Sequence, residues 1–334
     1  MDRILVTGGA GYVGSVCTMQ LLSRGFEVDV VDNLSTGHED AVPLGANFHK
    51  IDIGDRDALS NLLVSKQFDV VFHFAAKALV PESVTDPGIF FDVNVARSIS
   101  MLETLREYKI RKIIFSSTAA VYGNPNSSPI SEEHPKNPVN SYGESKLIFE
   151  QVLRSYARAY DWGVVAFRYF NASGGSRTWG ERHEPETHLI PILLQVASGR
   201  RAGFEIYGTD WPTFDGTCLR DYVHVVDIAE AHILAMKQLD SAGFNAYNIG
   251  TCKSHSVREV WHLVEQITQK KISGRETSRR LGDPAILCAD SSRLQQELNW
   301  APAHSDLRQI IAGAWDWEQA QCRVAPQRME TCER

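Results

Sequence analysis

The sequence predicts a doubly wound α/β fold, a parallel sheet with helices on both faces, and a smaller C-terminal lobe over the sheet's carboxyl edge. Three observations carry this. Short apolar runs recur at Ile4–Val6, Val28–Val31, Phe48–Ile51, Val70–Phe74, Ile113–Ser116 and Val164–Arg168. Amphipathic stretches separate them, among them Val13–Ser23, Ala58–Leu63, Val93–Tyr108 and Tyr142–Tyr160. After about Asn171 the alternation gives way to Gly-, Pro- and polar-rich segments at Ser173–Pro191 and Gly208–Thr217.

Each element follows from its residues. Strands buried on both faces of a parallel sheet lose polar–apolar alternation, and the six runs are near-continuously apolar. Parallel neighbours need crossovers, and the intervening helical patterns supply right-handed ones. Open α/β sheets bind ligands outside the carboxyl ends of their strands, where the second lobe belongs. This divides the chain into a unit over 1–171, to which a strand near 245–250 returns, and a lobe over 172–321. The tail 322–334 has no apolar periodicity and is expected to be disordered.

Composition excludes several functions. With 334 residues and 43% hydrophobic side chains, the chain can bury a large core. A formal charge of −7 disfavours nucleic acid or an anionic membrane as the main partner. No stretch is long and apolar enough for a membrane span, and Ile4–Val6 is too short for a signal peptide. Six cysteines without a CxxC spacing read as reduced thiols of a cytoplasmic protein. The eleven histidines show no metal-ligand clustering. The close pair His183 and His188 stands five apart in a loop-like stretch, so no metal site is expected.

Gly8-Gly9-Ala10-Gly11-Tyr12-Val13-Gly14 follows the first strand and opens the first helix. Glycine lets the backbone turn tightly and approach a pyrophosphate, which the helix N-terminus then stabilises. A plain strand-to-helix turn would also use glycine; the strand–loop–helix–strand context favours a Rossmann-type dinucleotide site. Asp32, eighteen residues after Gly14, ends the second strand. A carboxylate there accepts from a ribose 2′-OH and repels a 2′-phosphate, which favours NAD over NADP, although a solvated aspartate at a strand end would look the same. Asp52, at the end of the third strand, is placed to reach the adenine.

Tyr142-Gly143-Glu144-Ser145-Lys146 begins a long amphipathic helix. The i, i+4 spacing puts Tyr142 and Lys146 on one face. A tyrosine hydroxyl with a pKa of about 10 is a poor base at neutral pH. A neighbouring ammonium and a cationic nicotinamide ring would favour the phenolate, and about 4 kcal/mol brings the pKa to around 7. Such a spacing also arises by chance on helices. Here Thr118 ends the fifth strand upstream, with a hydroxyl able to bond a reacting oxygen and relay its proton. The order of glycine loop, acid, strand-five hydroxyl and tyrosine–lysine pair is what makes the pattern specific.

That order resembles the extended short-chain dehydrogenase/reductase superfamily, its NAD-dependent epimerase/dehydratase family, and most narrowly the UDP-glucose 4-epimerase group. Further matching segments are Asp32–His38, His73–Ala76, Ser116–Gly123, Ser141–Lys146, Arg168–Asn171, Arg220–Val225, Arg280–Asp283 and Glu297–Trp300. The resemblance implies a catalytic trio of Thr118, Tyr142 and Lys146. It implies cofactor contacts at Gly8, Gly11, Tyr12, Val13, Asp32, Asn33, Ser35, Thr36, Gly37, Asp52, Ile53, Phe74, Ala75, Ala76, Asn94, Ser116, Ser117 and Tyr169, besides Tyr142 and Lys146. It places substrate contacts at Phe170, Asn171, His188, Leu189, Tyr207, Arg220, Tyr222, Arg280, Asp283 and Leu287, besides Thr118 and Tyr142. The arginines suit that role because guanidinium pairs bidentately with phosphate oxygens. A homodimer across Val93–Tyr108 and Tyr142–Tyr160 is also implied, although packing on the chain's own sheet explains the same apolar spacing.

The implied reaction interconverts UDP-glucose and UDP-galactose through a 4-keto sugar that turns in the pocket. Three positions depart from the family's common pattern. Ser116-Ser117-Thr118 ends in threonine where serine is usual, and His188 stands where many relatives carry asparagine. Leu287 is intermediate between a bulky aromatic and a small residue, which leaves other UDP-sugars open: the xylose/arabinose pair, N-acetylhexosamines or uronic acids. A 4,6-dehydratase or a decarboxylase would need acidic groups after Thr118, where Ala119 and Ala120 stand. A non-catalytic NAD sensor would dispense with the tyrosine or lysine; both are present.

Overall fold

In the computed structural model, which describes residues 2–280 and 282–331, the apolar runs become the strands of one parallel sheet. The first half runs β1 (Arg3–Thr7), α1 (Tyr12–Ser23), β2 (Glu27–Asp32), β3 (Asn47–Lys50), α2 (Arg56–Ser65), β4 (Val70–His73), α3 (Val80–Thr85) and α4 (Pro87–Phe91). It continues through α5 (Ser98–Glu107), β5 (Lys112–Thr118), α6 (Ser141–Tyr160) and β6 (Gly163–Tyr169). The second half contains β7 (Asn171–Ser173), α7 (Leu189–Ala197), β8 (Phe204–Tyr207), β9 (Leu219–His224), α8 (Val225–Ala235) and β10 (Gly243–Ile249). It ends with β11 (Ser254–Ser256), α9 (Val257–Thr268), β12 (Gly274–Thr277), β13 (Ile286–Leu287), α10 (Ser292–Leu298) and α11 (Leu307–Thr331).

The main sheet has the order β10-β6-β5-β4-β1-β2-β3, every neighbour parallel. Successive strand residues point to opposite faces, so each strand feeds two cores. Leu5, Val31, Val71, Phe115 and Ala166 pack with Leu59, Leu102 and Phe149 of α2, α5 and α6. Ile4, Val6, Val30, Phe72, Ile114 and Phe167 pack on the other side with Ile228, Ala231 and Leu294 of α8 and α10. The return to this sheet is therefore larger than the expected single strand: α8 and α10 cover its second face. A separate core of Leu193, Leu194, Val260, Val264, Ile310 and Ile311 holds the C-terminal lobe.

Two local differences from the sequence reading have physical causes. The stretch expected as one helix over Val93–Tyr108 is interrupted by a π turn at Asp92–Arg97. The wide turn directs the Asn94 amide inward, where it bonds Lys77 N and O at 2.8 and 3.0 Å and Ser145 Oγ at 3.0 Å. Such bulges trade ladder regularity for a side chain aimed at a working part of the fold. Of the tail expected to be disordered over 322–334, the part as far as Thr331 extends α11, and 332–334 lie outside the described residues. A helix already nucleated upstream lengthens at little cost. No described helix is long and apolar enough to cross a membrane.

Behind the sheet's carboxyl edge lies a buried ionic network. Arg168 on β6 pairs with Glu150 of α6 at 2.7 and 3.0 Å and donates to Tyr122 Oη at 2.9 Å. Their side chains are 2% and 3% exposed. Ser117 donates to the same Glu150 at 2.5 Å, and Tyr122 donates to Asn248 of β10 at 2.7 Å. Removing one member strands the other's charge in a dry interior, at about 3–5 kcal/mol, whereas replacing both by apolar residues costs far less. Glu150→Leu should therefore lower the urea midpoint strongly, and Glu150→Leu with Arg168→Met should recover a large part of that loss.

Candidate active site

The glycine loop fills the turn between β1 and α1 because no larger residue fits. Gly8 has φ +75°, and a Cβ there would meet Ala75 N at 2.4 Å; one at Gly14 would meet Gly8 O at 2.2 Å. Gly11 differs: a Cβ there would touch only Gly8 O, at 3.3 Å, and the residue lines the cavity. Its lack of a side chain leaves room for a close approach to the backbone. Gly11 is also the N-cap of α1, with no side-chain cap and no acidic residue in the first turn. The first-turn N–H groups and the positive end of the helix dipole thus remain available to an anion, which fits a dinucleotide's pyrophosphate.

Asp32 ends β2 beside this loop and accepts from Ala10 N at 3.0 Å and Leu34 N at 2.8 Å. Burial raises its carboxyl pKa against the pull of those two amides. Asp52 accepts from Asn33 at 2.8 Å, Arg97 at 2.7 Å and Gly54 N at 2.8 Å. Burial opposes ionisation there, but these donors outweigh it and hold the carboxyl below its usual range.

Tyr142 and Lys146 stand on the first turns of α6, whose N-cap Asn140 accepts from Gly143 N at 2.9 Å. Lys146 is 3% exposed and donates to Ser116 O at 2.8 Å, with its ammonium 4.8 Å from the Phe115 ring centroid. Burial pushes its pKa down to about 7, with Glu150 opposing. Burial likewise raises the Tyr142 hydroxyl, and Thr118 lowers it in part. The expected phenolate therefore is not favoured by Lys146 alone: the dry pocket draws both groups toward neutrality. Thr118 Oγ1 accepts from Ala120 N at 3.1 Å, which leaves its own O–H to donate.

All of these groups open into one cavity of about 1170 Å³ that runs from the glycine loop into the C-terminal lobe. Gly8, Gly11, Tyr12, Val13, Asp32, Asn33, Ser35, Thr36, Gly37, Asp52, Ile53, Phe74, Ala75, Ala76, Ser116, Ser117 and Tyr169 line it, as do Thr118, Tyr142 and Lys146. Asn94 does not. Its amide is consumed by Lys77 and Ser145 behind the wall, so it positions the turn after β4.

At the other end the cavity is lined by Phe170, Asn171, His188, Leu189, Tyr207, Arg220, Tyr222, Arg280, Asp283 and Leu287. Arg280 lies over the Tyr207 ring, 3.6 Å from its centroid. Arg220 donates to Leu219 O at 2.9 Å and Pro284 O at 3.0 Å, which spends only part of its donor set. Asn171 donates to Asp221 O at 2.8 Å.

Sequence reasoning missed Lys77, Arg97, Glu181, His183 and Glu186, which also line the cavity. Glu181, His183 and His188, which the sequence reading did not group, come together in the loop before α7. That loop has no regular period, so the spacing of its residues carries no signal. Burial lowers the His188 pKa, but its bond to Glu186 and the Glu181 charge win and raise it to about 9.

A strand-one glycine loop, an anion-ready helix end and a tyrosine–lysine pair with its lysine buried, all at one cavity, define a dinucleotide-binding α/β enzyme. Residues 4–250 match the model of the NAD dependent epimerase/dehydratase family, and the chain belongs to that family. It is 46% identical over 319 residues to the UDP-glucose 4-epimerase of Lacticaseibacillus casei, covering 95% of this chain and 96% of that one. Among solved structures it is similar to UDP-glucose 4-epimerase from Brucella ovis in complex with NAD. That match has 42% identity, a TM-score of 0.91, and covers 94% of this chain and 98% of that one. The Bifidobacterium longum UDP-glucose 4-epimerase, solved with NAD+ and UDP, matches at 34% identity and TM-score 0.91, over 95% and 98%.

Lys146 gives a sign-definite pH test. Its ordinary pKa of 10.5 falls to about 7 in the fold. Between those values the unfolded chain holds a proton that the folded chain has lost, so this group makes stability rise with pH. In nucleotide-free protein, raising pH from 7.5 to 9.5 should move the urea midpoint upward for wild type relative to Lys146→Met.

Proposed function

We propose that the chain interconverts UDP-glucose and UDP-galactose at sugar C4, with NAD as resident cofactor. The observation that carries this is one cavity with Thr118, Tyr142 and Lys146 at the sheet edge and Arg220 and Arg280 in the lobe. The distal arginines suit a diphosphate, which orients the sugar toward the sheet edge. Tyr142 takes the proton of the sugar 4-hydroxyl, and the Thr118 O–H bonds the same oxygen. Lys146, held against Ser116 O, stabilises the phenolate form of Tyr142 that accepts this proton. Gly8, Gly11 and Asp32 would hold NAD, which would supply the acceptor and then the donor for the hydride at sugar C4 on either side of a 4-keto stage. Ala119 and Ala120 line this wall and offer no acid or base for eliminating water, which separates this reading from a dehydratase.

Leu287 is intermediate in size between the alternatives at its position, and the same proton-transfer groups would serve a pentose, uronic acid or N-acetyl UDP-sugar. Two copies of the chain are proposed to pair across α5 and α6. Ile148, Val152, Tyr156 and Tyr160 repeat every fourth residue on α6 and keep part of their surface open, as do Val95 in the π turn and Ile99 on α5, although Ile99, Val152 and Tyr156 also pack on the chain's own core. Sedimentation should then show a species of twice 37.3 kDa.

Protein purified without added cofactor should convert UDP-galactose to UDP-glucose. Tyr142→Phe should lose about 10²–10⁴-fold in kcat with NAD still bound. Bound NAD with no turnover on either hexose, but turnover on another UDP-sugar, would replace the substrate in this reading. Arg220→Ala and Arg280→Ala should each raise KM about 10- to 100-fold, with kcat much less affected.

A further inference from the structure

The loop between β7 and α7 folds back over the glycine loop and is anchored at several points. Tyr12 donates to Gly174 O at 2.6 Å, Arg182 pairs with Asp40 at 2.6 Å, and Trp317 donates to Glu181 O at 2.9 Å. Within it, one donor atom each of Glu181, His183 and His188 lies within 4.8 Å of the other two. Nothing in the proposed proton transfer uses this trio.

Its details are those of a ligand set. His188 Nδ1 lies 2.8 Å from Glu186 Oε1, and that same oxygen accepts from the backbone N–H of Thr187 and of His188 at 2.7 Å each. Glu186 is 5% exposed and therefore fixed. An imidazole whose Nδ1 is tied to a buried carboxylate presents Nε2 as its free donor, the usual outer-shell arrangement around metal-bound histidine. His183 Nδ1 approaches Glu181 Oε1 to 2.6 Å, yet it is buried without a hydrogen-bond partner. The distance is that of an ion pair, and the two groups are close enough for one cation to take the place of a proton between them. Arg182 and His183 donate their backbone N–H groups to Glu181 Oε1 at 2.8 and 3.1 Å, which fixes the carboxylate. The two imidazole rings are 5.5 Å apart.

We propose that Glu181, His183 and His188 bind a divalent transition ion of the zinc type, with Glu186 as the residue that positions His188. Two imidazole nitrogens and one carboxylate oxygen suit Zn²⁺ or Co²⁺ and not Mg²⁺ or Ca²⁺, which prefer all-oxygen sites. Bond lengths of about 2.0–2.2 Å require the Glu181–His183 contact to open by ~1 Å. Three protein ligands leave a fourth tetrahedral position, and because all three residues line the large cavity, that position faces it. Water or an oxygen of a cavity occupant completes the sphere. The ion would tie the loop to the start of α7 at the wall of the cavity.

The test uses the NAD-containing protein after exhaustive chelation and does not read turnover. Titration with Zn²⁺, followed by equilibrium dialysis and elemental analysis, should show one tight site per chain. Co²⁺ in its place should give the intense visible bands of a tetrahedral site. His183→Gln and His188→Gln should each weaken Zn²⁺ at least 100-fold, and Glu186→Gln about 10- to 100-fold. His262→Ala, at an exposed position on α9, should leave binding unchanged. Circular dichroism and retained NAD identify variants that fold. Binding that is absent, or that survives the folded His183→Gln and His188→Gln variants undiminished, would overturn the proposal.

Discussion

The site depends on the ion pair between Glu150 and Arg168. Tyr142, Lys146 and Glu150 stand at i, i+4 and i+8 on α6 and so share one face of the helix. Glu150 reaches Arg168 on β6 and receives Ser117 from β5, so it pins that face against two strands at once. Turning or sliding α6 by one residue would break this pair in a dry interior and carry Tyr142 and Lys146 away from Thr118 and Ser116. An apolar pair of similar volume would fill the space as well and cost less desolvation, but hydrophobic contacts tolerate small slips in register. The ionic pair is therefore better understood as a register pin than as a source of stability.

That logic separates what was legible in the sequence from what was not. Strands β1, β2, β4, β5 and β6 were readable because burial on both faces writes itself as a local apolar run. The glycine loop and the Tyr142–Lys146 spacing were readable because backbone geometry constrains residues only a few positions apart. The Glu150–Arg168 pair spans 18 positions across two elements, and each residue alone looks like an ordinary solvated charge. The π turn at Asp92–Arg97 was hidden for a related reason. Its sequence has helical periodicity, and only the pull of Lys77 and Ser145 on the Asn94 amide widens one turn. Glu181, His183 and His188 meet through the path of an irregular loop, for which no period exists to read.

The electrostatics of the catalytic end follow from the same burial. Lys146 sits over Phe115 and beside the neutral His73, whose own pKa burial and then Lys146 push down to about 3. The lysine's nearest anion, Glu150, is already engaged by Arg168. Tyr142 has only the Thr118 hydroxyl to favour its charged form. A phenolate next to an ammonium is thus costly in the protein alone. An added positive charge in the same cavity would favour the phenolate while pressing Lys146 further toward neutrality. The two groups respond in opposite directions to the same occupant, which makes their proton balance a property of the loaded site and not of the helix.

The loop from Gly174 to His188 forms one wall of that site. It is tied to the glycine-loop helix by Tyr12, to the segment after β2 by Asp40, and to α11 by Trp317. These anchors come from three parts of the chain, so releasing the loop requires several partners to let go together. The same loop lines the cavity through Gly174, Glu181, His183, Glu186 and His188. The shape of that wall is therefore set jointly by the helix after the glycine loop, the segment after β2 and α11, and a change at any one anchor reaches the occupant through the loop.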